Sequence, residues 1–542
     1  MANPWAGSST ARFAPTGPPD RAVVMSPTSS STGTAALRFE GFGEGAPLDV
    51  PALNGPSGAG LLARFADGSM DAFVDTLAAV HNCARPVRLA GSSTTVDART
   101  GEVLSTFRSV DAPLGVLYRP CGNRRAHVCP ACSRTYARDT FALISAGVAG
   151  GKTVPEQVAD NPLLFATFTA PSFGLVHGHR GGKPCRPRRR DDRTRCAHGR
   201  PLWCIAIHEP GDARSGAPLC SDCYDTASAV LWQWHAPELW RRTTIALRRA
   251  VAGHLGVTES GLAEHASIQY AKVAEYQDRG LVHFHALIRL DGPAAAGIGA
   301  PAPAALDGLT LAALVRDAAP GVTVLAEPVD ADDSPRVLAW GAQLDVRVVT
   351  AGHRVDDPAA ALTPGQVAGY LAKYATKDVS GLHGEGQQRP HIAAFRAACA
   401  DLADRAARHH PEDHDYQRMS RWVHMLGFRG HFGTKSRRYS VTLGALRRAR
   451  ARWQAMAAES RRTGEPVDTR DLERRLLADD EDEATVVIGS WTYLGTGWRD
   501  AAEEALALAA AARAREYDQW RAERRDGRGK GTHHDGGTTS KG

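Results

Sequence analysis

The sequence predicts an α+β chain on three observations. Two β-prone runs joined by a tight glycine-ended turn read as a hairpin, two long stretches carry helical spacing, and the cysteines gather into two groups that mark small metal-held modules. Length and composition allow this architecture. At 542 residues, with 43% hydrophobic and 23% charged residues, the chain can build two or three cored domains. No apolar run reaches the length of a membrane span, and the N-terminus lacks the basic-then-apolar order of a secretion signal, so the expected location is the cytoplasm. The net charge of +6 is modest. Arginine is nevertheless crowded into "CRPRRRDDRTRC" (185 to 196) and "GFRGHFGTKSRRYSVTLGALRRARARW" (427 to 453), the footprint of a phosphate-binding surface.

The elements follow in chain order. Residues 1 to 40 are rich in Ser, Thr, Pro and Gly and hold too few apolar groups to offset the entropy of ordering, so disorder is expected there and in the tail 526 to 542. "HNCARPVRL" and "CGNRRAHVCPACS" contribute Cys83, Cys121, Cys129 and Cys132. "CAHGRPLWC" and "PLCSDCYD" contribute Cys196, Cys204, Cys220 and Cys223, with His198 as an alternative to Cys196 and Cys185 as a competitor. In a reducing compartment, two C-x-x-C knuckles with two further cysteines each fit tetrahedral structural Zn2+ better than disulfides. Cys399, alone in an Ala-rich helical stretch, reads as a small buried residue. "SAVLWQWHAPELWRRTTIALRRAVAGHLG" reads as a helix whose tryptophans enter a core, and "DGPAAAGIGAPAPAALDG" (291 to 308) as a linker or surface insertion.

The hairpin carries the chemistry. In "SIQYAKVAEYQDRGLVHFHALIRLDG" (267 to 292) the runs flank "DRG", and a three-residue loop wants its glycine last, in the left-handed conformation. Gln277 then pairs with Leu281 and Glu275 lies opposite His283, so that period-two alternation puts Glu275, His283 and His285 on one face. Two imidazoles and a carboxylate converging there suit a divalent ion with open positions, Mg2+ or Mn2+, and Gln277 is the alternative third ligand. "LTPGQVAGYLAKYATKD" supplies a helix: Thr363 as N-cap, Pro364 at the first position, then Val367, Tyr370, Leu371 and Tyr374 at helical spacing. Each tyrosine has a lysine three residues on, Lys373 and Lys377. Two patterns are set aside. "HGH" (177 to 179) lies in a Gly/Arg-rich stretch where no strand would aim both rings at one ion, and "AGVAGGKT" (146 to 153) meets Pro155 where a phosphate-loop helix should run.

The H-hydrophobic-H strand, followed by a helix bearing Tyr-x-x-Lys, resembles the HUH endonuclease superfamily, and the doubled "YLAKYATK" resembles its two-tyrosine branch, typified by phage gene A proteins. With "CARPVRL", "FATFTAPSFG" and "GFRGHFGTKSRRYS" in the same order, roughly residues 80 to 500 resemble replication initiators of actinomycete plasmids and integrative elements. The resemblance implies a central antiparallel, ferredoxin-like sheet with helices on one face, the histidine strand central and the tyrosine helix across it. It implies a nuclease domain over 151 to 385 with a zinc module inserted at 176 to 230, an N-terminal region over 41 to 150 holding the first zinc module, and a mostly helical basic region over 386 to 525 with a hairpin or arm around 427 to 443. The implied activity is metal-assisted nicking of one origin strand, with Tyr370 and Tyr374 as nucleophiles. The implied partners are double- and single-stranded origin DNA, a host helicase and a host DNA polymerase. A conjugative relaxase, a rolling-circle transposase and a non-catalytic zinc-containing DNA-binding regulator are the alternatives.

Overall fold

The computed structural model describes residues 37–39, 48–50, 56–188, 195–349, 364–375, 389–409, 412, 415–478 and 485–530. The expectation for residues 1 to 40 therefore falls almost wholly outside the described residues, and that for the tail largely so. The helix Ala501–Lys530 runs past the expected start of the tail. The chain divides into two compact units. One comprises Met1–Tyr136, Ala451–Arg470 and Ala478–Gly542, the other Ala137–Arg450 and Asp471–Leu477. Residues 386–450, expected with a separate C-terminal region, thus belong to the second unit.

The first unit is built on an antiparallel sheet in which the strand Val87–Asp97 is flanked by Thr485–Thr496 on one side and by Val103–Arg108 and Leu117–Arg119 on the other. Its core gathers Phe73, Leu77, Tyr118, Cys83 and Trp498. The Trp498 ring stacks on Tyr118 at 5.1 Å, and its buried N–H is satisfied by the Cys83 carbonyl at 2.9 Å.

The second unit contains a five-stranded, wholly antiparallel sheet. Its strands are β1 (Leu163–Phe168), β2 (Ser267–Tyr276), β3 (Val282–Asp291), β4 (Leu344–Val348) and β5 (Gly433–Lys435), in the spatial order β4-β1-β3-β2-β5. The histidine strand β3 is therefore central. The β2–β3 hairpin has the register its turn chemistry demands: Glu275 lies opposite His283, the Gln277 N–H bonds the Leu281 carbonyl at 2.8 Å, and Gly280 sits at φ +83°. A second constraint holds the turn. Gln233, fully buried, donates to the Gly280 and Leu426 carbonyls and accepts from the Val282 N–H at 2.8 Å.

The two faces of the sheet differ. On one, Leu164, Ala166, Phe168, Phe284 and Ile288 pack against α1 (Thr226–His254), whose Trp232, Trp234 and Trp240 are buried as expected. Trp240 meets Phe168 and Phe284 edge-on at 5.5 and 6.2 Å, and Asp225 caps the helix through the Ser228 N–H. The opposite face, carrying the histidines, is met by α2 (Pro364–Ala375), whose Tyr370 rests on His285. Helices on one face only is therefore corrected: residues 284 and 285 alternate across the pleat, so the core helix and the tyrosine helix must take opposite sides.

Two further expectations are corrected. The basic segment expected as a hairpin or arm supplies the edge strand β5, and its Phe428, Phe432 and Tyr439 are buried, because burial of three aromatics outweighs solvation of the intervening arginines. The stretch 291 to 308 is not a loose linker. Asn161 bonds the Ala300 carbonyl and the Ala302 N–H, the Gly299 N–H donates to Asp291, and Leu306 is buried. No helix among the described residues is long and apolar enough to cross a membrane.

Candidate active site

Period-two alternation brings Phe165 and Thr167 of β1, Glu275 of β2, and His283 and His285 of β3 onto the same face. Glu275 Oε2 lies 3.0 Å from His283 Nε2 and 3.2 Å from His285 Nε2, so three donor atoms converge. All three fall within 4.8 Å of one another and could hold one divalent ion, in which case the two ring nitrogens with one carboxylate oxygen would leave further positions for water or phosphate. Gln277 stands apart from this group, with its Oε1 accepting from Arg279 Nε at 2.9 Å.

The shell around His285 is ordered. Its Nδ1 is 3.0 Å from Thr167 Oγ1, and Phe165 stacks nearly parallel to the ring at 5.6 Å. Burial holds the imidazole below its ordinary pKa, against the opposing pull of the Glu275 hydrogen bond, so the ring is neutral and able to ligate at neutral pH. Thr167 and Phe165 were not singled out by sequence, although the alternation of "LLFATF" contains the signal: Leu164, Ala166 and Phe168 face the core, which sends 165 and 167 to the histidine side.

Tyr370 reaches this centre from α2. Its Oη is 3.3 Å from His285 Nε2 and its ring meets Phe165 edge-on at 5.8 Å, while Val367, Ala368 and Leu371 bury the adjoining stripe of the helix. The tyrosine keeps 38% of its surface accessible, which leaves room for a substrate to approach it. Lys373 is exposed in the same helix. Tyr374 lies in α2 with its side chain outside the described residues, and Thr363 and Lys377 also lie outside them.

Nine of the ten cysteines fall into clusters. Cys83, Cys121, Cys129 and Cys132 come together as expected, with Cys83 Sγ and Cys129 Sγ 3.8 Å apart, the tetrahedral edge that a Zn–S bond of about 2.3 Å produces. The second expected set is corrected. Cys196, Cys220 and Cys223 are joined by His198, whose Nδ1 is 3.2 Å from Cys223 Sγ, while Cys204 lies with His177, Cys185 and His208. The cause is backbone pairing: Arg186 and Cys204 exchange hydrogen bonds at 2.8 and 2.9 Å, which draws Cys204 beside Cys185 and away from Cys220. The dismissal of His177 is corrected with it. Its neighbour His179 turns away to the His208 carbonyl, so the two rings do part, but His177 enters the cluster. Cys399 is fully buried in the helix Pro390–His409, and burial pushes its thiol up to about 12. In the rejected phosphate loop, Lys152 pairs with Glu473 at 3.5 Å.

Comparison with known proteins is consistent with a single family. The family model described as "Replication initiator protein, pSAM2" (RepSA) matches residues 69–512. A replication initiator protein of Streptomyces ambofaciens is 38% identical over 431 residues, covering 76% of this chain and 84% of that protein. No solved structure matches the chain.

Proposed function

This chain belongs to the RepSA family of replication initiator proteins, and from that premise we propose that it opens its origin by cutting one DNA strand through tyrosine transesterification, in the manner of two-tyrosine HUH endonucleases. One observation carries the reading: the phenol oxygen of the partly accessible Tyr370 stands 3.3 Å from His285 Nε2, at the edge of the only His/His/Glu group among the described residues. A packing tyrosine has no need of such a neighbour.

His283, His285 and Glu275 would hold Mg2+ or Mn2+, which supplies Lewis acidity to the scissile phosphate and offsets its developing charge. Tyr370 Oη attacks phosphorus. The Oη–P bond forms as the P–O3′ bond breaks, the phenol gives up its proton and the departing 3′ oxygen takes one up. The products are a 5′-phosphotyrosine and a free 3′-OH for a host polymerase, with a host helicase opening the duplex. The covalent link conserves the phosphodiester, so a later 3′-OH can close the circle. A free phenol has a pKa of about 10, and Lys373 and Lys377 are assigned the task of favouring phenolate or screening phosphate. Tyr374 is assigned the second transfer that follows a full round. Zinc at Cys83/Cys121/Cys129/Cys132 and at Cys196/His198/Cys220/Cys223 holds loops in shape.

Incubation with a supercoiled origin plasmid and Mg2+ or Mn2+ tests the reading. The expected product is an open circle with protein on its 5′ end, and the adduct peptide contains residue 370 or 374. Absence of nicking with either ion while the protein still binds the origin would leave a zinc-containing regulator instead.

A further inference from the structure

We infer that His177, Cys185, Cys204 and His208 bind a zinc ion of their own, a third structural site that shapes the loop beneath the turn of the catalytic hairpin. The donor set is two thiols and two imidazoles, four ligands in all, the closed tetrahedral composition that selects zinc. The separations fit. Bond lengths of about 2.0–2.1 Å for Zn–N and about 2.3 Å for Zn–S give tetrahedral edges of roughly 3.3 Å between nitrogens and roughly 3.6 Å between nitrogen and sulfur. Here His177 Nδ1 and His208 Nε2 are 3.2 Å apart, His177 Nδ1 and Cys185 Sγ 3.8 Å, and His208 Nε2 and Cys204 Sγ 3.7 Å.

The surroundings argue for the same occupant. His208 is fully buried, and its Nδ1 is 2.7 Å from Asp212 Oδ2, the outer carboxylate partner that fixes a ligating histidine with Nε2 toward the metal. Two imidazole nitrogens face each other at 3.2 Å beside two thiols, and a single ion bound by all four atoms accounts for the whole convergence. Cys185 and Cys204 are held in place by their own backbones, Cys185 through the Ala206 carbonyl and Cys204 through Arg186.

The site connects to the hairpin through the main chain. His177 exchanges backbone hydrogen bonds with Gly216 and Ala217, at 2.9 and 2.8 Å, and the Ser215 and Arg214 N–H groups bond Asp212. Gly216, at φ +84°, presses on the turn so closely that a Cβ there would lie 2.1 Å from the Asp278 carbonyl carbon. Arg389 bridges the two segments, bonding the Ser215 carbonyl and Asp278. A cavity of about 680 Å3 opens between them, with His177, His179 and Gly216 on one wall and Gln277 and Arg279 on the other. An ion that draws His177 to His208 thereby fixes the 212–217 loop and that wall.

Metal analysis of the full-length protein is the test, and it is independent of whether the protein nicks DNA. Wild type should hold three zinc ions per chain, one for each cysteine-containing cluster. Cys185→Ser and His208→Ala should each hold two, and His177→Cys, which keeps a donor, should hold three. In the first two variants hydrogen exchange should lose protection at 212–217 and 277–281 while the remainder of the sheet stays protected. Two ions in wild type, or three retained in Cys185→Ser, would overturn the assignment. Should the variants fail to fold, the wild-type content still decides.

Discussion

Thr167→Val isolates the support of the proposed metal centre without touching a ligand. The threonine hydroxyl lies 3.0 Å from His285 Nδ1 and serves either tautomer, donating when Nδ1 is bare and accepting when Nδ1 carries the proton that frees Nε2 for a metal. Valine keeps the shape and removes that partner. His285 is 4% exposed, so water cannot readily take its place, and leaving a buried polar atom unpaired costs about 1–3 kcal/mol. Loss of an outer partner to a ligating histidine lowers metal affinity about 10- to 100-fold. That is about 1.4 to 2.8 kcal/mol at 1.4 kcal/mol per tenfold, so the two routes to the magnitude agree. The assay is cleavage of a single-stranded origin oligonucleotide across a Mn2+ titration. The midpoint should rise about 10- to 100-fold while the rate at saturating Mn2+ stays within a few-fold of wild type, and Thr167→Ser should restore it. An unchanged midpoint would refute the support role; a lost rate that saturating Mn2+ cannot recover would refute the separation of support from chemistry.

Other outcomes follow from the same geometry. Tyr370→Phe and Tyr374→Phe should each retain some oligonucleotide cleavage, neither should sustain repeated plasmid replication, and the double variant should nick nothing; one dead and one fully replicating single variant would end the alternating scheme. Burial lowers Lys272 to about 7, outweighing the Phe284 ring face 3.9 Å from its Nζ. Because the folded value lies below the unfolded one, the unfolded chain binds more protons between about pH 7 and 10.5, and stability should rise with pH across that window. Lys272→Met should flatten this rise in urea denaturation and raise the midpoint at pH 7, and an unchanged slope would show that Lys272 does not cause it. Asp291→Ala should destabilise the second unit by about 3–5 kcal/mol in thermal unfolding, since it strands the fully buried Arg289 guanidinium that Asp291 meets at 2.6 Å; a shift under about 1 kcal/mol would show the charge to be solvated.

What the sequence determined by itself was local. The hairpin register could be read because a left-handed glycine and a period of two act between adjacent residues, and together they carried Glu275, His283 and His285 to one face. The tyrosine helix was legible from Pro364 and its apolar spacing, and burial of Val367 and Leu371 matches that stripe. Tertiary structure decided the rest. Thr167 meets His285 across 118 residues of chain, and no local signal says which strand will pair with which. The edge strand Gly433–Lys435 and the strand Thr485–Thr496 acquire their state only from distant partners, Ala271–Val273 and Val87–Asp97. Cysteine spacing identified nearly every thiol that clusters yet could not sort them, because thiolates are chemically equivalent as ligands. The partition rests on backbone hydrogen bonds such as those between Arg186 and Cys204, whose loop-closure cost is met only once the surrounding fold has formed.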